Sequence, residues 1–105
     1  MTGGTLLAKK INRIIARAAS ELGVAIGVGS QRVMIEKPES LETFSVVRDE
    51  AANVPVIGNI GASQLVKGFS RQDLDKIISS IKADAVAVHL IPLQEDVQAE
   101  GEPDY

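Results

Sequence analysis

The sequence contains no cysteine and only three aromatic side chains, Phe44, Phe69 and Tyr105. Without thiols the chain forms neither a disulfide framework nor a thiolate metal site, which fits a cytoplasmic protein. Because aromatic side chains are so few, the core has to be aliphatic. The same scarcity and the net charge of −3 argue against nucleic-acid binding, which usually needs a basic face and stacking side chains.

Long apolar runs are also missing. No run approaches the ~20 residues of a membrane-spanning helix, and Lys9, Lys10 and Arg13 interrupt the first apolar stretch, so no signal peptide is expected. His89 is the single histidine, which leaves no Ser-His-Asp arrangement and no second nitrogen ligand for a metal. Any catalysis therefore needs a cofactor for its difficult step. A chain of 105 residues is long enough for one small domain.

Helical and strand patterns alternate along the chain. Apolar spacing predicts helices over residues 5–22, 38–53 and 70–83, with Thr5 and Ser70 as N-caps and Gly23 as a left-handed stop. Short apolar runs predict strands over residues 24–29, 54–60 and 85–91, the last ending at Pro92. Residues 61–64 and 96–105 are predicted to be loops.

This alternation is typical of an α/β protein with a parallel sheet and right-handed crossovers. Polar or glycine-rich residues follow each strand, as at the rim of a (β/α)8 barrel, although a complete barrel takes about 250 residues. Either a small open flavodoxin-like sheet or part of a larger barrel fits the pattern. The spacing of the elements does not separate these two folds.

Candidate ligand-binding residues lie where the strands end, which is where α/β proteins usually bind ligands. His89, Gln94 and Glu95 surround the end of the third strand. Glu95 suits a hard cation such as Mg²⁺, or is an exposed acid beside Asp96. His89 is either part of a site or an ordinary side chain at the strand end.

Two further strand ends carry polar groups. Ser30, Gln31 and Arg32 offer a hydroxyl, an amide and a guanidinium to an anion, or are simply the polar start of a helix. Gly58 and Asn59 present an amide to a planar ring, or form a turn. The early glycine pair at 3–4 allows close backbone approach or a turn. None of these matches a phosphate-loop, dinucleotide or zinc signature.

Four motifs occur together in a specific order, namely MTGG at 1–4, GVGSQR at 27–32, GNIG at 58–61 and HLIPLQE at 89–95. Together they closely resemble type 2 isopentenyl-diphosphate isomerase, the flavin-dependent enzyme of isoprenoid synthesis. The resemblance extends over essentially all 105 residues, including the tail at 98–105. Since four separate motifs coincide, it does not depend on one glycine pattern.

The resemblance implies part of a (β/α)8 barrel, from about the end of strand 2 to strand 4 and the loop that follows. It implies FMN as cofactor, Mg²⁺ on the substrate diphosphate and NADPH as the reductant of the flavin. The family interconverts isopentenyl and dimethylallyl diphosphate, a 1,3 shift of a double bond in which reduced flavin is thought to act as acid and base. Family members are homo-oligomers, tetramers or octamers.

Carried over by position, the resemblance assigns FMN contacts to Met1, Thr2, Ser30 and Asn59. It assigns the Mg²⁺ ligand to Glu95. Both assignments are implied by the family motifs.

The resemblance also assigns the substrate contacts. Ser30, Gln31, Arg32 and Gln94 are expected to bind the substrate, with Arg32 on the diphosphate. His89 and Gln94 are expected to line the catalytic pocket.

The sequence departs from the family in two respects. Ile91 occupies a position where the family motif has asparagine, so one hydrogen bond to the substrate is lost. The basic N-terminal motif and the later strands that hold the flavin phosphate are absent from these residues, so we expect a chain of this length to be inactive alone.

Two alternatives remain open. One is part of another FMN barrel, such as an α-hydroxy-acid oxidase or an inosinate dehydrogenase, in which Gln94 and Glu95 have no evident task. The other is a non-catalytic half-barrel that self-associates through its open sheet edges.

Overall fold

The computed structural model describes residues 5–90, which form five α-helices, one 3₁₀ turn and three strands. The helices are α1 (Leu6–Leu22), α2 (Arg32–Glu36), α3 (Leu41–Glu50), α4 (Ala62–Val66) and α5 (Arg71–Ile81). The strands are β1 (Ile26–Gly27), β2 (Val56–Gly61) and β3 (Ala85–His89), and the 3₁₀ turn is Pro38–Ser40.

The three strands form one parallel sheet in the order β1-β2-β3. The predicted α/β class with parallel strands is therefore confirmed. β1 is shorter than the predicted strand over residues 24–29. Its ladder to β2 includes hydrogen bonds from Ile26 N–H to Pro55 and from Val28 N–H to Ile57, both 3.0 Å. After Val28 the next main-chain hydrogen bond to β2 runs from Gln31 N–H to Asn59 O, at 3.0 Å.

α1 begins and ends where its capping residues predict. The Thr5 hydroxyl accepts from Ala8 N–H at 3.0 Å, and Gly23 adopts φ 69°, a left-handed conformation that glycine reaches without strain. The buried face of α1 consists of small or polar residues that pack on α3: Ala8, Asn12, Ala16 and Ala19. Its larger apolar side chains, such as Leu7 and Ile14, are exposed among the described residues.

The short helix α4 was not predicted, and α2 was predicted only as one of two interpretations of Ser30, Gln31 and Arg32, as the polar start of a helix. α2 precedes Pro38, whereas the sequence suggested that the second helix starts at that proline; Pro38 instead begins the 3₁₀ turn, and α3 ends at Glu50 rather than Asn53. The loop predicted over residues 61–64 is wrong, because α4 starts at Ala62. Its first turn is stabilised by Gln64, whose Oε1 accepts from Gly61 N–H at 2.7 Å.

The third long helix agrees with its prediction. The Ser70 hydroxyl accepts from Asp73 N–H at 3.1 Å, and the Asp73 carboxylate accepts from Ser70 N–H at 3.0 Å. This reciprocal capping box satisfies two amides at the start of α5. α5 then packs its buried Ile77 and Ile81 toward β2 and α3.

The hydrophobic core lies between the helices and one face of the sheet. It is aliphatic apart from the fully buried Phe44. The sheet contributes Ile26, Val28 and Val56 to it. The helices and connecting segments contribute Ala16, Ala19, Met34, Phe44, Val46, Val47, Ala51, Val54 and Ile81.

Arg48 of α3 connects the amino ends of β2 and β3. Its Nε and Nη1 donate to the carbonyls of Ile81 (2.8 Å) and Val54 (3.2 Å). Its Nη2 donates to Lys82 O and to the Asp84 carboxylate, both at 2.7 Å. One guanidinium group thus joins three elements at the end of the sheet opposite the predicted site.

In the part of the chain that the structure covers, no helix combines the length and the apolar character that a bilayer crossing requires.

Candidate functional site

The carboxyl ends of the three parallel strands meet at one edge of the sheet, as the sequence predicted. Ser30 and Arg32 follow β1, Asn59 lies in the second half of β2, and His89 is the last residue of β3. In the β2–β3 register, Asn59 lies opposite Ala87 and Gly61 lies opposite His89. The structure therefore brings predicted site residues from three separate motifs to the same edge.

Asn59 and His89 share the face of the sheet that is turned away from the core. Successive residues of a strand point to opposite faces, and paired residues of adjacent parallel strands point to the same face. Val56 and its alternate Gly58 face the helices, since a Cβ on Gly58 would lie 3.7 Å from Ile81 Cδ1 of α5. Asn59 and His89 are on the opposite face, where both are half-buried.

The corner after β1 places Ser30 and Arg32 at the surface. Ser30 is exposed, and its hydroxyl lies 3.5 Å from the Arg32 N–H. The Arg32 guanidinium is about one-third exposed, and its Nε is 3.6 Å from a Glu36 carboxylate oxygen one turn further along α2. A long ion pair of this kind contributes little to stability, so an anion of higher charge can compete for the guanidinium.

Gln31 differs from its two neighbours because its side chain is completely buried, with 0% exposure. The Gln31 side-chain Oε1 accepts from Asn59 N–H at 2.9 Å, and the Gln31 backbone N–H donates to Asn59 O at 3.0 Å. Its Nε2 donates to the Ile77 carbonyl at 3.2 Å and lies 3.4 Å from Met34 Sδ. The predicted substrate contact of Gln31 stays a prediction, but the amide already has protein partners.

Gly58 makes room for the Gln31 amide. A Cβ at this position would lie 2.8 Å from Gln31 Oε1, closer than side-chain carbons approach other atoms. The amide end cannot simply move aside, because hydrogen bonds to Asn59 and Ile77 hold it. A side chain at this position would therefore displace the Gln31 amide from these hydrogen bonds.

The Asn59 side chain presents an amide oxygen that the described residues leave unused. Its Oδ1 is buried, and it has no hydrogen-bond partner within residues 5–90. A buried amide oxygen without a partner is costly to the folded state. A ligand or a further segment that brings an N–H or O–H donor to this atom removes that cost.

Gln64 and Arg48 were not singled out from the sequence. Gln64 is buried beside the same sheet edge, and its contact with Gly61 fixes the turn that follows β2. A glutamine three residues after the last residue of a strand is a weak sequence signal for the start of a helix. Arg48 has no such local signal, because two of its partner elements lie more than thirty residues away.

Several predicted residues lie outside the described part of the chain. These are the FMN positions Met1 and Thr2, the substrate position Gln94, the Mg²⁺ position Glu95 and the departure at Ile91. Within residues 5–90, no group of three or more His, Cys, Asp or Glu side chains is placed to hold a metal ion.

The fold is that of an α/β protein, and these strand ends form a candidate ligand site at the carboxyl edge of its parallel sheet. No family model matches the chain. It is 52% identical over all of its 105 residues to the isopentenyl-diphosphate delta-isomerase of Sulfurisphaera tokodaii, of which it covers 28%. It is 49% identical over all of its residues to the isomerase of the same name from Ignicoccus hospitalis, of which it covers 29%.

A third relative gives the same result. Over 97% of the chain, identity to the isopentenyl-diphosphate delta-isomerase of Methanothrix thermoacetophila is 57%, and the match covers 28% of that protein. The predicted resemblance is thus confirmed: along its full length, this chain is homologous to part of enzymes that carry this name. The chain spans somewhat more than a quarter of the length of these relatives, 28% of the first.

Proposed function

We propose that these residues form part of an FMN-dependent isomerase that interconverts isopentenyl and dimethylallyl diphosphate. The observation that carries the proposal is the meeting of Ser30, Arg32, Asn59 and His89 at one edge of the sheet. Similarity along the length of this chain to part of proteins named isopentenyl-diphosphate delta-isomerase supports the choice of substrate.

A (β/α)8 barrel is the architecture that we propose for the complete enzyme. Each strand pairs with the next one along the chain, as a barrel requires. The core cluster lies on the Val56 face of the sheet, and no described residue of the Asn59 face belongs to it. Helices on a single face support a barrel, because a doubly wound sheet is covered on both faces.

The exposed apolar residues of α1 agree with this architecture. Leu7, Ile14 and Leu22 are between 66% and 75% exposed within the described residues. Such a stripe on a helix normally packs against other elements. In the proposed barrel, parts of the enzyme beyond these residues cover it.

The chemistry of the described donors and acceptors fits FMN. The edge of the flavin ring carries both N–H donors and carbonyl acceptors, and Asn59 offers an amide whose Oδ1 is otherwise unpaired. Ser30 adds an exposed hydroxyl from the neighbouring corner. Met1 and Thr2 complete the proposed cofactor contacts through their backbone. In its reduced state, maintained by NADPH, the bound flavin supplies the acid/base group for the proton transfers of the 1,3 shift.

The chain's own residues bind and orient the substrate in this proposal. The Arg32 guanidinium makes paired hydrogen bonds with the diphosphate, whose charge outcompetes the long contact with Glu36. Glu95 supplies a carboxylate to Mg²⁺, which neutralises the remaining phosphate charge. His89 and Gln94 line the pocket that holds the reacting carbon chain.

The proposal also covers the activity of these residues alone, and the location and assembly of the complete enzyme. Because the chain covers 28% of its first relative, we propose that 105 residues alone do not complete the active site and do not turn over substrate. The complete enzyme is proposed to be a cytoplasmic homo-oligomer.

Two measurements on the natural protein that contains this sequence test the proposal. Flavin is identified by the visible absorbance of the purified protein and by release of FMN on denaturation. Isomerisation is followed by NMR of isopentenyl diphosphate under anaerobic conditions, with Mg²⁺ and NADPH. Conversion without net oxidation of substrate supports an isomerase, whereas oxidation of a substrate would indicate a flavin oxidoreductase. A folded protein that neither binds FMN nor converts the substrate contradicts the proposal.

A further inference from the structure

We propose that Gln31 is a positioning residue, which holds Asn59 in place for the flavin and does not bind substrate itself. The inference rests on the proposed flavin contact of Asn59. It reassigns Gln31 from the substrate contacts expected by resemblance to a role beneath the site.

The backbone geometry of β1 explains why a side chain is needed here. Val28 N–H bonds to Ile57 O at 3.0 Å, and the next main-chain donor to β2 is Gln31 N–H, one residue later than a regular ladder would place it. In a continuing parallel ladder, the next carbonyl of β1 would accept from Asn59 N–H. The Gln31 Oε1 takes the place of that carbonyl at 2.9 Å. Gln31 thus pairs with Asn59 through both its backbone N–H, which donates to Asn59 O at 3.0 Å, and its side-chain oxygen, which replaces the missing main-chain acceptor.

The Gln31 amide has little capacity left for a ligand. Asn59 N–H requires an acceptor, and the Gln31 Nε2 donates to Ile77 O, which also accepts from the Ser80 hydroxyl at 2.9 Å, so these partners set the orientation of the amide. The second hydrogen on Nε2 is directed to Met34 Sδ at 3.4 Å. Turning toward substrate would leave the Asn59 N–H without its acceptor, which is costly.

Gln31 also connects the site to α5. Ile77 belongs to that helix and is fully buried, and its carbonyl accepts a hydrogen bond from Gln31 Nε2. One side chain therefore joins the corner that carries Ser30 and Arg32, the strand that carries Asn59, and the helix behind them. This connection links the corner of the proposed diphosphate contact to the strand of the proposed flavin contact.

Gly58 gives an independent way to disturb the same contact. Its Cα lies beneath the amide, and a Cβ would approach Gln31 Oε1 to 2.8 Å. Gly58 faces the core side of the sheet, away from the face that carries Asn59. A Gly58→Ala substitution therefore displaces the amide without altering any group on the proposed ligand side.

The test uses the natural protein that contains this sequence. Gln31→Met removes both hydrogen-bonding groups but retains an unbranched side chain, and Gly58→Ala displaces the amide. Asn59→Ala provides the reference phenotype, and Val47→Ala, a fully buried core position in α3, controls for lost stability. For each apo protein, the Kd for FMN is measured by fluorescence titration, and kcat and KM are measured at saturating FMN. Hydrogen exchange reports the protection of the Asn59 amide.

We expect Gln31→Met and Gly58→Ala each to weaken FMN binding by about tenfold and to speed exchange at the Asn59 amide, as for the partners that orient other ligand-binding groups. We expect Val47→Ala to leave the FMN affinity unchanged below its unfolding transition. In the double variant Gln31→Met/Asn59→Ala, the effect on FMN affinity should not exceed that of Asn59→Ala alone.

Two outcomes would overturn the inference. The first is unchanged FMN affinity in Gln31→Met together with a raised substrate KM, which identifies Gln31 as a substrate ligand. The second is unchanged exchange at the Asn59 amide, which removes the proposed link whether or not flavin binds. Absence of FMN binding by the unsubstituted protein is a different result, since it contradicts the proposed function from which the flavin role of Gln31 follows.

Discussion

Arg48 donates a 2.7 Å hydrogen bond from Nη2 to the Asp84 carboxylate at the amino ends of β2 and β3. The same carboxylate oxygen accepts from Val56 N–H at 2.9 Å. This pair therefore fixes the start of one strand against the start of the next. The proposed ligand site lies at the other end of these strands. In (β/α)8 barrels, contacts at the amino face contribute to stability and the opposite face carries function.

Substitution of Arg48 should destabilise the fold without changing the site. Its side chain is 15% exposed and donates to three backbone carbonyls. We expect Arg48→Ala to lower the free energy of unfolding by about 3 kcal/mol, because hydrogen bonds from a charged donor are lost and buried carbonyls remain unpaired. Urea denaturation measures this change.

Arg48→Lys serves as the matched control. It retains the charge but lacks the planar fork that reaches several carbonyls at once. We expect Arg48→Lys to be more stable than Arg48→Ala but less stable than the wild-type protein. Wild-type stability in the alanine variant would show that these contacts are not required.

Acid should weaken the same contact. The pKa of the Asp84 carboxyl lies below its ordinary value, first because of the hydrogen bond from Val56 N–H and then because of the hydrogen bond from Arg48. A lowered folded-state pKa means that the contribution is fully present above the unfolded pKa, about 3.9, and is lost as the pH falls through the lower folded value.

We therefore expect Asp84→Asn to reduce stability at pH 7, and we expect this effect to shrink as the pH falls from about 4 toward the lower folded-state pKa of the wild-type carboxyl. Denaturation midpoints over this pH range measure the difference. Asp75→Asn on exposed α5 surface is the control, and it should change the pH dependence little. A constant difference between Asp84→Asn and wild type at all pH values would exclude the carboxylate as the cause.

Arg32 should determine affinity for the diphosphate. We expect Arg32→Ala to raise the substrate KM about a hundredfold, because a bidentate charged contact is lost. The FMN affinity should stay the same, since Arg32 lies outside the proposed flavin contacts. Steady-state kinetics and flavin titration separate the two effects. Lys37→Ala removes an exposed cation just after α2 and should alter neither value.

Ile91 gives a prediction from resemblance, since it lies outside the described residues. The family motif has asparagine at this position, so we expect Ile91→Asn to restore a hydrogen bond to the substrate. A hydrogen bond of about 1 kcal/mol corresponds to about a fivefold rise in kcat/KM. Ile91→Leu is the control without an amide. An asparagine variant no more active than the leucine variant would show that this position does not contact the substrate here.

Local signals in the sequence predicted the elements that begin and end with specific caps. Thr5, Gly23 and Ser70 act within three or four residues of themselves, so their roles follow from spacing alone. The short helix α4 was missed and α2 was predicted only as one of two alternatives, because each has only five residues and no Ser, Thr or Asp at its N-cap. Periodicity is not detectable over so short a stretch.

The polar strand ends of the site were predictable, but the difference between Gln31 and its neighbours was not. Its burial depends on Asn59 and Ile77, which lie 28 and 46 residues further along the chain. A polar motif at a strand end indicates that a site is near. Tertiary packing then decides which side chain reaches the ligand and which supports the backbone.

A segment exchange tests the central claim most directly. The 105 residues replace the aligned residues of the Sulfurisphaera tokodaii isomerase, to which they are 52% identical, and a second version carries Asn59→Ala. FMN binding by the folded chimaera is measured by absorbance titration, followed by anaerobic isomerisation of isopentenyl diphosphate. We predict that the chimaera binds FMN and converts the substrate, and that Asn59→Ala weakens flavin binding. A folded chimaera that binds no FMN would contradict the account.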